Sequence, residues 1–509
     1  MSRLNYTAKN IFTGYISNLV STILGFVSRT FFIQILGVTY LGVNGLFTNV
    51  LGMLSFAELG IGVAMNHSLY KPVAENDTKK IKSLMSLYKK AYRVIALVVL
   101  FIGIGIMPFL NYVIKDPGDI GNIYIYYSIF LFNTVISYFV SYKFSLVNAE
   151  QKNYIFNIIT TATAVVTIAA QLVSLFIFRS FLIYLLTASF IGLLQKIFIS
   201  IYLNRKYPYL LEKAEALSAE ELRPIKKNVA ALVWHKIGEI SIHQTDNIII
   251  SAFLSITIVG IISNYNLLIT SVSAFVNIIF NSVIGSLGNL LATADVKKQY
   301  EIFKIYRFVA FWIYGFCAIA FYMLLTPFIT LWLGSDMQVA DTVILCIVLN
   351  YYMLGDRIVI NNIKSAGGVF VQDKFVALGQ AVINIAVSTV FVQLIGLAGV
   401  FLGTLVAGLL PSIVKPIVTY KAIFKIKSAK YFIDAIKYIT AVAIPGTACL
   451  LLKNFVLRDI TLINFLMLLA AVIMIPNLFF YCVFRRSDEF VYLKNIALSS
   501  LRRRRKTNG

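Results

Sequence analysis

Charged side chains are scarce in this sequence of 509 residues. Only 13% of the residues are charged, whereas 59% are hydrophobic. In an ordinary soluble domain, roughly a quarter of the residues are charged. Acidic residues are the scarcer kind, with 22 Asp and Glu against 45 Lys and Arg. Because a chain of this composition cannot keep most of its surface in water, the sequence excludes an ordinary soluble protein and predicts one embedded in a bilayer.

Motifs that carry chemistry in enzymes and metalloproteins are also missing. The four cysteines stand singly in apolar segments without a Cys-x-x-Cys spacing, so they indicate neither a disulfide framework nor a metal site. The chain contains no His-Glu-x-x-His, Gly-x-Gly-x-x-Gly, Walker-type Gly-x-x-x-x-Gly-Lys or nucleophile-elbow motif. These absences argue against an enzyme and against direct use of ATP. No cofactor is expected beyond a coupling ion, either H⁺ or Na⁺.

What the sequence does contain is a regular series of apolar runs. Each run has the ~20 residues that a helix needs to cross the hydrocarbon core. The sequence therefore predicts an all-α polytopic membrane protein with about fourteen transmembrane helices. The expected spans lie near residues 11–36, 39–66, 91–114, 123–147, 154–178, 180–203, 229–252, 257–290, 305–332, 341–362, 375–394, 397–420, 431–452 and 460–484.

A polar connector from Asn204 to Asn228 interrupts the series after the sixth span. It divides the chain into an expected N-terminal lobe of six helices, residues 1–215, and a C-terminal lobe of six helices, residues 216–425. A final helix pair and a basic tail follow in residues 426–509.

The distribution of basic residues predicts how the chain is oriented. Lys and Arg in short loops stay cytoplasmic, and alternate loops of this chain are basic. An even number of spans then places both termini in the cytoplasm, including the tail Arg502–Lys506. The net charge of +23 needs no nucleic-acid partner, because the charges lie in breaks between apolar runs. We expect a multi-pass protein of the inner, cytoplasmic membrane whose tail anchors on anionic lipid.

The two six-helix halves partly repeat each other. When the chain is shifted against itself without gaps, Leu36–Gly42 overlays Leu254–Gly260. Repeats of the same orientation are one way in which transporters build a central site between two lobes, so we expect the function to lie in such a cavity. The same shift overlays polar loop residues, placing Ala74, Asp77, Lys79 and Lys80 on Ala292, Asp295, Lys297 and Lys298.

Three segments carry a family resemblance: Arg29–Gly42, Glu58–Ala64 and Gly396–Gly403. Together with the length and the number of spans, they make the chain similar over nearly its whole length to the polysaccharide transporter family. These are the Wzx-type flippases of O-antigen and capsule repeat units within the MOP exporter superfamily. Members commonly carry Asp-Leu-Gly where this sequence has Glu58-Leu-Gly60, so the charge is kept. Glu58 itself is expected to pair with a cation or to fix close helix packing.

The resemblance implies two six-helix lobes around a central cavity, with two additional C-terminal helices. It also implies translocation of an undecaprenyl-pyrophosphate-linked oligosaccharide repeat unit from the cytoplasmic to the outer leaflet, for capsule, O-antigen or exopolysaccharide synthesis. The expected partners are the lipid-linked oligosaccharide and membrane lipids, with a polysaccharide polymerase and a chain-length regulator as further candidates. The pattern is specific for the family but not for the sugar.

Ionisable residues inside the spans are the candidate functional groups, because an ionised group at the bilayer centre costs at least ~2.5 kcal/mol. At ~100° per residue, those of the seventh span fall on one narrow stripe, and Lys236 borders it. The alternative is that Glu239 merely neutralises Lys236 or His235. The stripe, expected to handle coupling protons, consists of His235, Glu239, His243 and Asp246.

Cationic and amide side chains on polar helix faces are candidates for binding the pyrophosphate. A guanidinium suits this role because its fork of donors matches phosphate oxygens. Two alternatives stay open: Asp356 neutralises Arg357, and Lys143 snorkels to the interface. The expected substrate-binding residues are Arg29, Lys236, Arg357, Asn361 and Lys143.

Rival functions fit the same architecture. A lipid II flippase uses the same pyrophosphate chemistry, and an ion-coupled multidrug exporter of the superfamily is expected to have a smaller and more acidic or apolar pocket. A membrane glycosyltransferase would be expected to show an acidic motif and a polysaccharide polymerase a large outer loop, and the sequence shows neither. The cationic faces favour an anionic lipid-linked substrate.

Overall fold

The regular structure of this protein is helical throughout the stretches that the computed structural model describes, and no strand occurs in them. This confirms the predicted all-α class. The described stretches are residues 3–58, 61–115, 118, 120–223, 225, 244–369, 372–373, 375–456 and 459–507.

Contacts between helices divide the chain into two compact units, Met1–Ser263 and Asn264–Gly509. In the first unit, the first helix packs on the sixth, and the fourth packs on the fifth. Its helices are α1 (Arg3–Leu36), α2 (Val38–Leu54), α3 (Ile61–Ala74), α4 (Thr78–Ile106), α5 (Ile123–Ala149), α6 (Asn153–Phe178), α7 (Phe181–Lys206), α8 (residues 244–253) and the start of α9 (Ile256–Ser282).

The second unit begins inside α9. Two helices that follow each other directly, Val376–Ile395 and Leu397–Thr419, form its most extensive contact. The division into lobes 1–215, 216–425 and 426–509 stays a prediction. The helices of this unit are α10 (Ile284–Thr293), α11 (Val296–Leu333), α12 (Asp341–Ala366), α13 (Val376–Ile395), α14 (Leu397–Thr419), α15 (Ala429–Val456), α16 (Leu462–Phe484) and α17 (Asp488–Thr507).

The helices are those of a multi-pass membrane protein. Within the described residues, 12 helical segments are long and apolar enough to cross a bilayer. Large apolar side chains point outward from them, with Leu394 71% and Phe455 73% exposed. Such surfaces are costly in water and stable in hydrocarbon. The rest of the predicted count of about fourteen falls on the second and seventh spans, and residues 229–243 of the seventh lie outside the described residues.

The predicted second span, residues 39–66, is divided in the structure. Helix α2 ends at Leu54, a 3₁₀ turn covers Ser55–Glu58, and α3 begins at Ile61. The Ser55 hydroxyl donates to the carbonyl oxygen of Gly52 at 2.7 Å, and the sequence supplies two glycines at positions 60 and 62, which weaken a helix. The span expected over residues 257–290 is divided in the same way at position 283, between α9 and α10.

The repeat-related segments at the starts of α2 and α9 pack against each other. The hydroxyls of Thr39 and Thr257, equivalent in the repeat, hydrogen-bond at 3.1 Å. Gly42 and Gly260, equivalent in the same register, allow the close approach. A Cβ built on these glycines would lie 1.9 Å and 2.1 Å from a backbone oxygen of the facing helix. The repeat seen in sequence is therefore also a contact in which each segment meets its own equivalent.

The helices that follow these segments begin with the same cap. The Asp77 carboxylate accepts from the backbone N–H of Lys80 at 2.9 Å at the start of α4. Asp295 accepts from the N–H of Lys298 at 3.1 Å at the start of α11. An aspartate in this position satisfies one of the free N–H groups of the first turn, so the repeat extends to the polar loops.

The polar connector folds back onto the N-terminal end of α4. Lys82 pairs with Glu212 at 2.9 Å, and Lys80 pairs with Glu221. The hydrogen bond from Lys80 lowers the pKa of the Glu221 carboxyl from its ordinary value. The connector is thus attached to the first unit by charges at a predicted cytoplasmic surface.

Candidate functional site

Most of the predicted ion-coupling stripe cannot be placed. His235, Lys236, Glu239 and His243 lie outside the described residues. Asp246 lies in α8, where it is partly buried and interacts with neighbouring groups. The roles of these five residues stay predictions.

Arg29 lies in α1, partly buried, next to the contact between the repeat-related segments. Its Nη1 donates to the hydroxyl of Ser263 at 2.9 Å, and that hydroxyl in turn donates to the carbonyl oxygen of Gly260 at 2.7 Å. A guanidinium carries five N–H donors, and the bond to Ser263 uses one of those on Nη1.

Lys143 is surrounded by acceptors of its own unit. Its side chain in α5 is only 7% exposed, and Nζ donates to the hydroxyl of Ser200 and to Oδ1 of Asn204, both at 2.8 Å on α7. Such bonds satisfy the hydrogen-bonding groups of a buried ammonium. They favour a structural role in which Lys143 links α5 to α7 over one in which its side chain extends to the membrane interface. A substrate-binding role for Lys143 stays a prediction.

Arg357 in α12 is a buried cation, 6% exposed. Its Nη1 donates to the carbonyl oxygen of Gly408 in α14 at 3.2 Å. Within the described part of the chain, no carboxylate lies at ion-pair distance from it. Asp356 attracts this guanidinium but makes its own ion pair with Arg307, so Arg357 keeps positive charge that favours the approach of an anion.

Asp356 makes its ion pair with a different arginine, one that sequence reasoning missed. Arg307 Nε lies 3.2 Å from Asp356 Oδ1, and the Tyr431 hydroxyl donates to Asp356 Oδ2 at 2.6 Å. The guanidinium also stacks 3.6 Å from the centre of the Tyr431 ring and donates to the Tyr431 carbonyl oxygen at 2.9 Å. Asp356 thus makes its ion pair with Arg307, and this network joins α11, α12 and α15. That Asp356 also neutralises Arg357 stays a prediction.

The polar face of α12 meets a second cation-bearing helix. Positions 357, 361 and 364 share one face because helix neighbours recur every three to four residues. Lys415 of α14 donates from Nζ to Asn361 Oδ1 at 2.9 Å, and Lys364 pairs with Asp373. We define the cationic cluster as Arg357, Asn361, Lys364, Asp373 and Lys415.

Lys415 is the functional candidate that sequence reasoning missed. A lysine inside an apolar helix is itself a signal for a functional or paired group, and two prolines, Pro411 and Pro416, lie inside the continuous helix on either side of it. Lys415 and Asn361 are partly exposed, whereas Lys364 is buried.

The cationic cluster can bind an anion. Three of its members carry positive charge, and the one carboxylate, Asp373, is paired with Lys364. Guanidinium and ammonium groups recognise phosphate oxygens by charge-assisted hydrogen bonds.

Comparison with known proteins relates the chain to one family and one fold. A family model described as a polysaccharide biosynthesis protein matches residues 7–284. No curated protein matches the chain in sequence.

Among solved structures, the fold is similar to that of transporters and of a flippase. The lipid II flippase MurJ, in an inward closed conformation, has a TM-score of 0.63 at 14% identity, covering 93% of this chain and 98% of that chain. The inward-facing conformation of a multidrug resistance MATE family transporter of the MOP superfamily gives 0.59 at 16% identity, with 77% and 92% covered. The MATE multidrug transporter DinF-BH gives 0.60 at 16% identity, with 84% and 98% covered. At these identities the likeness shows a shared fold.

Proposed function

Because this chain belongs to the polysaccharide biosynthesis protein family, whose model matches residues 7–284, we propose that it is a flippase for undecaprenyl-pyrophosphate-linked oligosaccharide repeat units. The lipid passes from the cytoplasmic to the outer leaflet of the cell membrane and supplies capsule, O-antigen or exopolysaccharide synthesis. The multi-pass fold, similar to that of transporters and of a flippase, supports transport rather than catalysis.

The observation that carries this proposal is the cationic cluster of the second unit. A pyrophosphate head group is an anion with several oxygen acceptors, and a cluster with an excess of positive charge inside apolar helices lowers the cost of bringing it into the membrane. Arg357 lacks a carboxylate partner among the described residues, and Lys415 is partly exposed. We assign Lys415 and Asn361 to first contact with the phosphates, and Arg357 to holding positive charge behind them.

Transport in this proposal is an alternating-access cycle coupled to H⁺ or Na⁺. Carboxylates and imidazoles inside a membrane are the groups that take up coupling ions. In this chain they are Asp246 and its predicted neighbours His235, Glu239 and His243.

The proposal is tested with the full-length protein in liposomes. We expect the wild type to move a short-chain polyprenyl-pyrophosphate oligosaccharide between leaflets. Lys415→Gln and Arg357→Gln should reduce movement by roughly tenfold to a hundredfold, because a hydrogen bond to a charged group contributes about 1.5–3 kcal/mol. Lys421→Gln is the matched control, because Lys421 is exposed and lies outside the cluster.

Running the assay with different substrates distinguishes the rival functions. A protein that moves lipid II but no other pyrophosphate-linked oligosaccharide is a lipid II flippase. Efflux of a cationic dye without movement of any oligosaccharide lipid identifies a multidrug exporter. Equal movement by Lys415→Gln, Arg357→Gln and Lys421→Gln would show that the cationic cluster does not bind the substrate.

A further inference from the structure

A polar pocket lies within the first unit, built from residues that the proposed function has not used. Its volume is about 560 Å³, within the range of small-molecule sites. It is formed by side chains from α1, the turn before α3, and helices α3 to α6. We define the amide pocket by its main polar lining residues, Asn10, Glu58, Asn66, Ser145, Asn148 and Asn157.

Glu58 is fixed in position at one wall of the amide pocket. The Tyr92 hydroxyl donates to Glu58 Oε1 at 2.6 Å. Gly62 makes room for this pair, since a Cβ built there would lie 2.9 Å from the same oxygen. The carboxylate is therefore oriented by the protein, and a hydrogen-bond acceptor is held at the pocket with no ion pair to any described residue.

Asn66 leaves an acceptor in the same pocket unused. Its Oδ1 is buried and has no hydrogen-bond partner among the described residues. Asn66 is one of the residues that line the pocket, and replacing its side chain removes no protein hydrogen bond at Oδ1.

The lining excludes several ligand classes. No described residue that lines the amide pocket carries a positive charge, and Glu58 would repel a phosphate. The carboxylate and amide groups of the lining do not suit a wholly apolar drug, and the volume is that of a small organic molecule rather than of a single ion.

An uncharged sugar fits what remains. Amide side chains both donate and accept, and a carboxylate accepts, which matches hydroxyl groups that do both. Two aromatic rings on the lining, Phe144 and Phe156, pack edge to face with centroids 4.4 Å apart and offer an apolar surface to the C–H face of a sugar ring. We propose that the amide pocket binds an uncharged sugar residue of the transported oligosaccharide.

This inference rests on the proposed function for the source of the sugar. It assigns sugar recognition to the first unit and pyrophosphate recognition to the cationic cluster of the second. The sugar and the pyrophosphate of the substrate then bind to different residues, so substitutions can weaken the binding of one without the other.

The test is binding of free monosaccharides to the purified full-length protein. N-acetylglucosamine, glucose and galactose serve as probes in saturation-transfer NMR. We expect at least one to bind the wild type, and Asn66→Ala to weaken that binding about three- to tenfold, as for a lost hydrogen bond. Because Asn66 Oδ1 has no partner in the described protein, this substitution should leave folding intact. A second variant, Ser145→Phe, fills the pocket and should abolish binding. Asn111→Ala, at an exposed position outside the pocket, is the control.

Each outcome has one meaning. If none of the three sugars binds, or if Asn66→Ala and Ser145→Phe bind as well as Asn111→Ala, the pocket proposal is wrong. Movement of the lipid-linked oligosaccharide is measured in parallel in liposomes with the wild type. Lipid movement without sugar binding overturns the pocket alone, whereas sugar binding lost in both variants without any lipid movement overturns the proposed flippase alone.

Discussion

At the scale of single residues, the charged side chains inside the helices differ in their hydrogen-bond and ion-pair partners. Lys143 and Arg307 are bonded to protein acceptors on neighbouring helices, whereas Arg357 has no carboxylate at ion-pair distance within the described residues. Helical phase predicted that Arg357 and Asn361 share a face. It could not predict the neighbour of that face, because Lys415 and Arg307 come from helices remote in sequence.

Asp356 is expected to be essential for stability. Replacing it by Asn leaves Arg307 buried without its ion pair, a change that costs about 3–5 kcal/mol. Tyr431→Phe removes only a hydroxyl and should cost about 1–3 kcal/mol. Chemical unfolding in detergent measures both, with the exposed Asp459→Asn as control. Unfolding of Asp356→Asn at the same denaturant concentration as this control would contradict the network.

Substitutions at Arg29 and at Ser263 distinguish a role of Arg29 in substrate binding from a role in helix packing. If the guanidinium meets the pyrophosphate, Arg29→Ala should reduce lipid movement at least about tenfold, while Ser263→Ala, which removes the hydroxyl that accepts from Arg29 Nη1, should retain movement. Arg29→Lys should retain part of it, because the charge persists without the fork of donors. The liposome assay measures all three. An equal loss in Ser263→Ala would mean that Arg29 acts through the contact between α1 and α9.

At the scale of elements, the sequence predicted those helices whose bounds are set by the length of an apolar run. It predicted less well the breaks that are set by local hydrogen bonds. The predicted spans 123–147 and 154–178 agree with α5 and α6 to within about two residues. The division of residues 39–66 was missed, because apolar side chains continue through the turn in which the Ser55 hydroxyl bonds to the Gly52 carbonyl oxygen. Helix α17, Asp488–Thr507, was also missed within the basic tail, because it carries no long apolar run, although Ser487 caps its first turn by accepting from the N–H of Phe490.

The close contact between α2 and α9 should tolerate no side chain. Gly42→Ala would place Cβ 1.9 Å from the carbonyl oxygen of Ile256, so the helices must separate, at a cost of about 1–3 kcal/mol typical of overpacking. Gly45→Ala on the same helix is the matched control, because its Cβ would make an ordinary contact of 3.4 Å with Val259. Thermal unfolding in detergent compares the two. Equal melting temperatures would show that this contact is not tight.

At the scale of the whole molecule, composition predicted the class, and the family match at residues 7–284 confirms the resemblance. The sites were harder to predict. The amide pocket combines Asn10, Glu58 and Asn157 from segments that are far apart in the sequence. Their spacing in the sequence does not predict that they lie close together. Carbohydrate recognition uses common amide and hydroxyl groups, so it leaves no short motif comparable to a metal or nucleotide site.

The basic loops of the chain predict its orientation in the membrane. If Lys and Arg hold alternate loops in the cytoplasm, position 75 between α3 and α4 faces inward and position 335 between α11 and α12 faces outward. Both positions are exposed, so Glu75→Cys and Ser335→Cys can be labelled once the native cysteines are replaced by serine, namely Cys317, Cys346, Cys449 and Cys482.

In intact cells, a membrane-impermeant maleimide should then label Ser335→Cys and leave Glu75→Cys unreacted. After the membrane is permeabilised, both should react, which shows that the thiol at position 75 was shielded by the bilayer and not by the fold. The reverse result would place both termini outside. It would also place the tail Arg502–Lys506 on the side from which the positive charge of short loops is normally excluded, so that charge could not be what orients this protein.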